Sequence, residues 1–254
     1  MLVDSHCHID FPELAADLDA VLALMAANGV GRALCVSVTL QDFPRIQKIV
    51  GERPQIYGSV GVHPDYEGLD VSCDELVKLA ARPKIIAVGE TGLDYYRLKG
   101  DLEWQRDRFR SHIAAARASG KPLIIHTREA AADTIRIMQE EGARDAGGVM
   151  HCFTESWEVA AAAIGLGFYI SFSGIVTFKN AKAIKEVATK VPLENMLVET
   201  DSPYLAPVPY RGKTNQPAYV KHVAEEIARL KGISFEHVCA QTTDNFNQLF
   251  NVIS

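Results

Sequence analysis

Eight short apolar runs recur along the chain and alternate with longer segments of helical periodicity. The runs are rich in valine, isoleucine and leucine and lie at 2–5, 32–38, 56–62, 85–89, 122–125, 148–150, 168–172 and 196–200. Near-continuous apolar strands of this kind are typical of parallel sheets that are covered on both faces. Between the runs, apolar residues at helical spacing predict helices at 14–27, 43–50, 73–81, 102–118, 130–141, 157–164 and 181–189.

The end of the chain departs from this alternation. Residues 202–215 are rich in proline and glycine and predict a loop, and further helices are expected at 217–230 and 235–250, with Gly232 ending the first. Eight strand–helix units of about 30 residues fit one closed barrel of about 250 residues. We therefore predict an α/β fold, a TIM (β/α)8 barrel, as a single domain over 1–254 with extra C-terminal helices. An open doubly wound sheet ranks second. That fold normally carries a glycine-rich phosphate loop after its first strand, and this chain has His6-Cys7-His8 at that position.

The composition indicates a soluble protein of a reducing compartment. The five cysteines are widely spaced and include no CxxC pair, which argues against a disulfide framework and against a cysteine zinc site. Residues 159–178 carry no charge over 20 positions, but glycines at 165, 167 and 174 favour a helix followed by a buried strand over a membrane span. Asp4 and His6 interrupt any signal sequence. We expect a cytoplasmic protein with no membrane segment and no obligate protein partner.

The formal net charge of −6 constrains the substrate. Proteins that grip long nucleic acids through backbone phosphates usually present a basic surface, and this chain lacks that excess of cations. An anionic substrate would have to be held locally, by a few cations or by metal ions.

Residue types that bind metals follow the apolar runs. Active sites of (β/α)8 barrels lie at the carboxyl ends of the strands, and the residues predicted at those ends are His6, His8, His63, Glu90, His126, His151 and Asp201. Five of the eight histidines fall there, and the other three (His112, His222 and His237) fall in predicted helices. A buried carboxylate is costly unless it is paired or coordinates a cation. The set therefore predicts a metal site.

The first strand carries the clearest local signal. His6 and His8 lie two positions apart, so their side chains point to the same side of a strand while that of Cys7 points to the other. Two such imidazoles can hold one metal ion together. The alternative is that they are only polar residues at a strand end.

The predicted ligands divide into two sets, which suggests two divalent ions. In this hypothesis one ion is held by His6, His8 and Asp201, the other by His126 and His151, and Glu90 bridges them. Two-metal hydrolytic sites separate their ions by roughly 3.5–4 Å, which one carboxylate can span. Four neutral imidazoles and two carboxylates leave a local charge of about +2, which favours a phosphate substrate. Mixed imidazole and carboxylate ligands admit Mg, Mn or Zn.

Further residues are assigned supporting roles. Asp201 is expected to accept a proton from the metal-activated water, and Glu199 to orient a ligand histidine, unless it forms an ion pair inside the barrel. His63 is a candidate contact to the substrate phosphate or leaving group, or else a polar residue without such a role. Candidate phosphate contacts are Arg128, Lys179, Arg211 and Lys213, and candidate base-stacking residues are Tyr95, Tyr96 and Tyr204. Plain surface cations and packing tyrosines are the alternatives.

The motifs together resemble the TatD-like metal-dependent deoxyribonuclease family. They lie at 4–10, 61–64, 89–96, 126, 151–153, 199–205 and 211–215, and the similarity runs from residue 2 to Phe246. The resemblance implies an amidohydrolase-like TIM barrel that removes nucleotides from single-stranded or frayed DNA ends, and from RNA, with divalent metals. The family's ligands correspond to His6, His8, Glu90, His126, His151 and Asp201. Thr214 and Gln216 stand where relatives often carry Arg and Glu, which loosens the assignment of substrate contacts there.

A second enzymatic hypothesis uses the same metal-activated water on a small ester, amide or lactone. The fold hosts many chemistries, so the scaffold alone does not decide. Many barrels of that kind bridge their metals with a modified lysine after the fourth strand, whereas this chain has Glu90, which favours the nuclease. A non-catalytic metal-binding barrel ranks last, since it would not need ligands from five strands.

Overall fold

A computed structural model describes residues 1–252. The strands are β1 Leu2–Cys7, β2 Val30–Cys35, β3 Ile56–Val60, β4 Ile85–Asp94, β5 Leu123–Arg128, β6 Gly148–Met150, β7 Phe168–Phe172 and β8 Met196–Val198. The α-helices are α1 Pro12–Ala15, α2 Leu18–Ala27, α3 Phe43–Glu52, α4 Cys73–Ala80, α5 Glu103–Ser119, α6 Ala131–Glu140, α7 Trp157–Gly165, α8 Lys182–Lys190, α9 Val220–Lys231 and α10 Phe235–Phe250.

Contacts between residues group the chain into two compact units. The first unit comprises Met1–Cys35, Cys152–Trp157 and Ile170–Ser254, and the second comprises Val36–His151 and Glu158–Tyr169. The single domain expected over 1–254 stays a prediction, and the two units are described separately below.

In the first unit, β1 pairs with β2 and β7 pairs with β8, in both cases in parallel. The chain beyond β8 continues alongside β1, because the backbone N–H of Asp201 donates to the His6 carbonyl at 2.9 Å. The C-terminal helix α10 packs here, and its buried Asn245 donates from Nδ2 to the carbonyl of Met196 at 2.7 Å. The extra helices predicted at the end of the chain thus support the strand that delivers Asp201.

In the second unit, β3 pairs with β4, β4 with β5 and β5 with β6, again all in parallel. At Gly89 the backbone of β4 approaches that of β5 closely. The φ of this glycine is 141°, and a Cβ at this position would lie 2.6 Å from the carbonyl oxygen of Ile124, so only glycine fits. The residue that follows it is Glu90.

The eight strands run in the order β1 to β8 in one sheet, and helices follow them in sequence. Parallel strands alternating with helices in chain order are the arrangement of the TIM (β/α)8 class, as predicted. The strands are buried on both faces, which explains why they appear in the sequence as near-continuous apolar runs.

Three strands are longer than their apolar runs predicted. The strand ladders of β1, β4 and β5 continue through His6, Glu90 and His126, although these polar residues interrupt the apolar pattern. The predicted helix at 14–27 is instead two helices, because the Asp17 side chain caps a new helix by accepting from the Ala20 N–H at 3.1 Å. The segment at 159–178 is helix α7 followed by buried strand β7, as predicted. None of the helices within residues 1–252 combines the length and apolar character needed to span a bilayer.

Helix α5 carries a buried polar stripe that the sequence did not single out. Gln105 accepts from the backbone N–H of Asp94 at 3.0 Å, and Arg108 donates to the His63 carbonyl at 3.2 Å. One turn further on, His112 accepts from the Val62 N–H through Nε2 at 3.0 Å and lies 2.8 Å from the Arg108 carbonyl through Nδ1. The stripe therefore holds the backbone at the carboxyl ends of β3 and β4.

Candidate functional site

In the first unit, the predicted ligands His6, His8 and Asp201 lie together, and we call them the first ligand group. The Nε2 atoms of the two histidines are 3.3 Å apart. Oδ1 of Asp201 lies 3.7 Å from His6 Nε2 and 3.4 Å from His8 Nε2. The side chains of both histidines are buried, whereas 16% of the Asp201 side chain is exposed. Asp201 is therefore the member of the group that solvent can reach.

Asp4 fixes the backbone on which this group is built. Its Oδ1 accepts from the Thr200 N–H at 2.9 Å and its Oδ2 accepts from the Thr200 hydroxyl at 2.6 Å. Oδ1 also lies 3.3 Å from the backbone nitrogen of His6. Burial raises the pKa of Asp4 well above its usual value, and the hydrogen bonds from Thr200 oppose that shift. Asp4 thus ties the residue before Asp201 to the strand that carries His6.

In the second unit, three imidazoles surround one carboxylate oxygen, and these residues form the second ligand group. Oε1 of Glu90 lies 2.8 Å from His151 Nε2, 3.2 Å from His63 Nε2 and 3.3 Å from His126 Nδ1. Burial alone would raise the pKa of Glu90, but His151, His63 and His126 together hold it well below its usual value. Glu90 is therefore an anion in an enclosed, nitrogen-rich environment.

Hydrogen bonds distinguish the roles of two of these histidines. His126 Nε2 lies 3.0 Å from Asp94 Oδ2, a carboxylate that only accepts, so Nε2 carries a proton and the ring turns Nδ1 toward Glu90. His63 turns its other nitrogen toward Glu90, because its Nδ1 accepts from the Asp65 N–H at 3.1 Å and its proton therefore lies on Nε2, 3.2 Å from Oε1 of Glu90. His126 is thus suited to bind a metal and His63 to donate a hydrogen bond.

Asp94 is the functional residue that the sequence reasoning missed. Burial would raise its pKa, but hydrogen bonds, first that from His126, lower it to about 2. The pKa of His126 is raised, because the bonds to Asp94 and Glu90 outweigh the effect of burial. A carboxylate behind a ligand histidine fixes the ring and its tautomer in many metal sites. The available signal was its spacing, since Asp94 lies four residues after Glu90 and so on the same side of β4.

The donor chemistry of both groups fits a divalent metal ion. In the second group, His126 Nδ1 lies 3.3 Å and His151 Nε2 lies 2.8 Å from the ionised Oε1 of Glu90, so two imidazole nitrogens and a carboxylate oxygen converge. In the first group, two Nε2 atoms and a carboxylate oxygen converge in the same way. Imidazole with carboxylate is the ligand set of catalytic Zn and Mn sites.

The remaining predicted residues contact other segments of the two units. In the first unit, the fully buried Glu199 accepts from the Cys152 N–H at 2.7 Å and so holds the backbone directly after His151. Arg211 and Lys213 are exposed on the loop after Asp201, where Arg211 Cζ lies 3.7 Å from the centre of the Phe178 ring. In the second unit, Arg128 Cζ lies 3.8 Å from the centre of the Tyr96 ring.

Comparison with known proteins identifies the family. The family model described as TatD related DNase matches residues 3–251, nearly the whole chain. The chain belongs to the TatD-related DNase family. It is a metal-dependent hydrolase of that family, as predicted.

Two relatives and one solved structure illustrate the similarity. The chain is 50% identical to "Uncharacterized metal-dependent hydrolase YcfH" of Escherichia coli (strain K12) over 99% of this chain and 96% of that protein. It is 29% identical to "3'-5' ssDNA/RNA exonuclease TatD" of Escherichia fergusonii over 99% of both chains. The crystal structure of YJJV, a TatD homologue from Escherichia coli K12, superposes with a TM-score of 0.91 at 27% identity, over 99% of this chain and 98% of that one. This superposition confirms the barrel class.

Proposed function

We propose that the protein is a divalent-metal-dependent exonuclease that removes nucleotides from the 3′ ends of single-stranded DNA or RNA. The observation that carries the proposal is the second ligand group, in which an ionised, buried Glu90 lies against a histidine that Asp94 holds in place. The name of the Escherichia fergusonii relative supports the substrate and the polarity.

The two ligand groups support two metal ions. His6, His8 and Asp201 would hold one ion, and Glu90, His126 and His151 would hold the other; the bridging role of Glu90 stays a prediction. When bound, Mg, Mn or Zn ions would supply the Lewis acidity that activates water and neutralises charge on the phosphoryl oxygens. Asp201, the more exposed carboxylate, accepts the proton that the attacking water loses.

The other residues orient the reacting groups. Asp94 holds the ring of His126 in place through Nε2, and Glu199 fixes the backbone after His151. His63, with its proton on Nε2, donates a hydrogen bond to the phosphate or to the leaving oxygen. The cations Arg128, Arg211 and Lys213 bind phosphates along the strand, which offsets the negative net charge of the protein.

A metal-controlled substrate panel tests the proposal. The chelated protein is assayed on single-stranded DNA, duplex DNA, RNA and 4-nitrophenyl acetate before and after addition of Mg, Mn or Zn. We expect cleavage of single strands only after metal is added, with duplex DNA and the ester cleaved far more slowly. Cleavage that survives complete metal removal contradicts the mechanism, and a preference for the ester favours the small-molecule hydrolase.

Glu90→Gln tests the role of the buried carboxylate. The amide keeps the shape but removes the charge, so we expect activity to fall by at least about 100-fold, as it does when a group that stabilises the transition state is lost. The matched control is Glu140→Gln, since Glu140 is an exposed residue of α6 that pairs with Arg136 at 2.9 Å. Near-normal activity of the Glu90 variant, with the fold verified by circular dichroism, would reject the role.

A further inference from the structure

The carboxyl end of β5 carries an arginine close to the second ligand group. Arg128 is the last residue of β5 and lies two positions after His126, so the two side chains lie on the same side of the strand. In the parallel ladder, Arg128 is the partner of Asp94 and His126 is the partner of Gly92. A molecule held by the second ligand group would therefore extend toward Arg128.

The segment after β4 brings a tyrosine onto this arginine. Oδ1 of Asp94 accepts from the backbone N–H groups of Tyr96 at 2.9 Å and of Arg97 at 3.1 Å, which forms an Asx-turn. The Tyr95 N–H also donates to the Arg128 carbonyl at 2.9 Å. With its backbone held in this way, Tyr96 places its ring 3.8 Å from Arg128 Cζ. The carboxylate that orients His126 thus also positions Tyr96.

The stacked pair keeps its polar edges and one aromatic face available. Within the part of the chain that the structure describes, the Arg128 guanidinium has no ion pair and no side-chain hydrogen bond. The acidic residue next to it in the sequence, Glu129, pairs instead with Lys99 at 3.7 Å. Tyr96 is 52% exposed although the guanidinium covers one face of its ring. A planar cation held by stacking presents its N–H donors at its edge, where a phosphate can accept two of them.

From these observations we propose that Tyr96 and Arg128 form a subsite for one unpaired nucleotide. The base stacks on the outer face of Tyr96, and the phosphate of the same strand accepts hydrogen bonds from Arg128. Because a base inside a duplex already has neighbours on both faces, the subsite selects single strands and tolerates any base. The proposal rests on the nuclease function proposed above and adds a binding site to it.

The test compares binding and cleavage in matched variants. Binding of a fluorescent single-stranded oligonucleotide is measured by anisotropy in excess chelator, and KM is measured with metal for the same oligonucleotide and for bis(4-nitrophenyl) phosphate. The variants are Tyr96→Ala, Arg128→Lys and the control Tyr57→Ala. Tyr57 stacks with Lys84 at 5.5 Å, but this pair lies toward the amino ends of β3 and β4.

We expect Tyr96→Ala to weaken oligonucleotide binding and to raise its KM by about tenfold, the usual loss for one stacked base. Arg128→Lys should weaken binding as well, because lysine keeps the charge but not the planar fork. For both variants the loss should be smaller on the small diester than on the oligonucleotide, and only Tyr57→Ala should behave as wild type on both substrates. A set of oligonucleotides is also tested, each with one abasic residue at a different position. At one of these positions, the affinities of wild type and Tyr96→Ala should become equal, because the base that stacks on Tyr96 is missing.

Three outcomes would overturn the subsite: wild-type binding by Tyr96→Ala, an equal loss on the small diester, or no abasic position that removes the effect. A failure of the nuclease proposal looks different. In that case the oligonucleotide binds through Tyr96 but is not cleaved with any of the three metals.

Discussion

His112 offers a quantitative test of the packing that supports the site. Its imidazole is fully buried in α5, and its two nitrogens contact the backbone of Val62 and of Arg108. Burial lowers the pKa of His112 to about 4, against an ordinary value of 6.5. The folded protein therefore keeps this ring neutral at pH values where the unfolded chain protonates it.

The sign and size of the effect follow from proton linkage. Well above pH 6.5 neither state is protonated at His112, and its contribution to stability is complete. As the pH falls from 6.5 to 4, the unfolded state binds the proton first, so stability is lost through this window. The pKa of His112 differs by about 2.5 between the unfolded and folded states, which corresponds to a loss of about 3 kcal/mol in the free energy of unfolding by pH 4.

The assay is urea unfolding, followed by circular dichroism in excess chelator, at intervals from pH 7.5 to 4. His112→Gln keeps an acceptor and a donor but does not titrate, so the stability of wild type relative to this variant should fall by about 3 kcal/mol across the range. His237→Gln, at an exposed position of α10, is the matched control and should follow the wild type. Parallel curves for His112→Gln and wild type would refute the reasoning, as would an imidazole NMR signal showing His112 protonated at pH 5.5.

Two further substitutions test the second ligand group and its support. In Asp94→Asn, the amide N–H would face His126 Nε2 and move the ring proton to Nδ1, so Zn or Mn affinity measured by calorimetry should fall about 10–100-fold without loss of fold; unchanged affinity would reject the role of Asp94. In Gly89→Ala, the new methyl would lie 2.6 Å from the Ile124 carbonyl, so thermal unfolding should occur at a markedly lower temperature. Gly51→Ala, in α3 with open space around it, should be neutral or stabilising by up to about 1 kcal/mol.

Apolar periodicity predicted the fold class because buried parallel strands leave an unmistakable run of aliphatic residues. The apolar pattern placed the ends of three strands too early, because those ends carry polar residues. Glu90 and His126 lie inside β4 and β5, since the backbone ladder continues where the side chains change from apolar to polar. The split of the first predicted helix was also missed, because the cap formed by Asp17 depends on a local turn within an otherwise helical pattern.

The residues of the two ligand groups could be picked out in the sequence because metal chemistry restricts candidate ligands to a few residue types at the ends of strands; their role as ligands stays a prediction. Most of the residues that support them were not singled out, because a buried glutamine, arginine or aspartate looks like any surface residue in a sequence. Asp94 and Gln105 act through single hydrogen bonds whose partners are set only when α5 packs on the sheet. Which nitrogen each histidine turns toward Glu90 depends on the contact of His126 with Asp94 and on that of His63 with the Asp65 N–H, so no spacing rule could distinguish the two histidines.

The polar stripe of α5 anchors the backbone next to the second ligand group. Gln105 holds the backbone at Asp94 and at Pro64 from α5, so these two points are fixed by contacts that do not involve the turn at residues 96–101. We expect that the turn that carries Tyr96 can be exchanged or lengthened to change which substrates the enzyme accepts, while the residues of the second ligand group stay in place. Redesign of substrate preference in this protein should begin at residues 96–101.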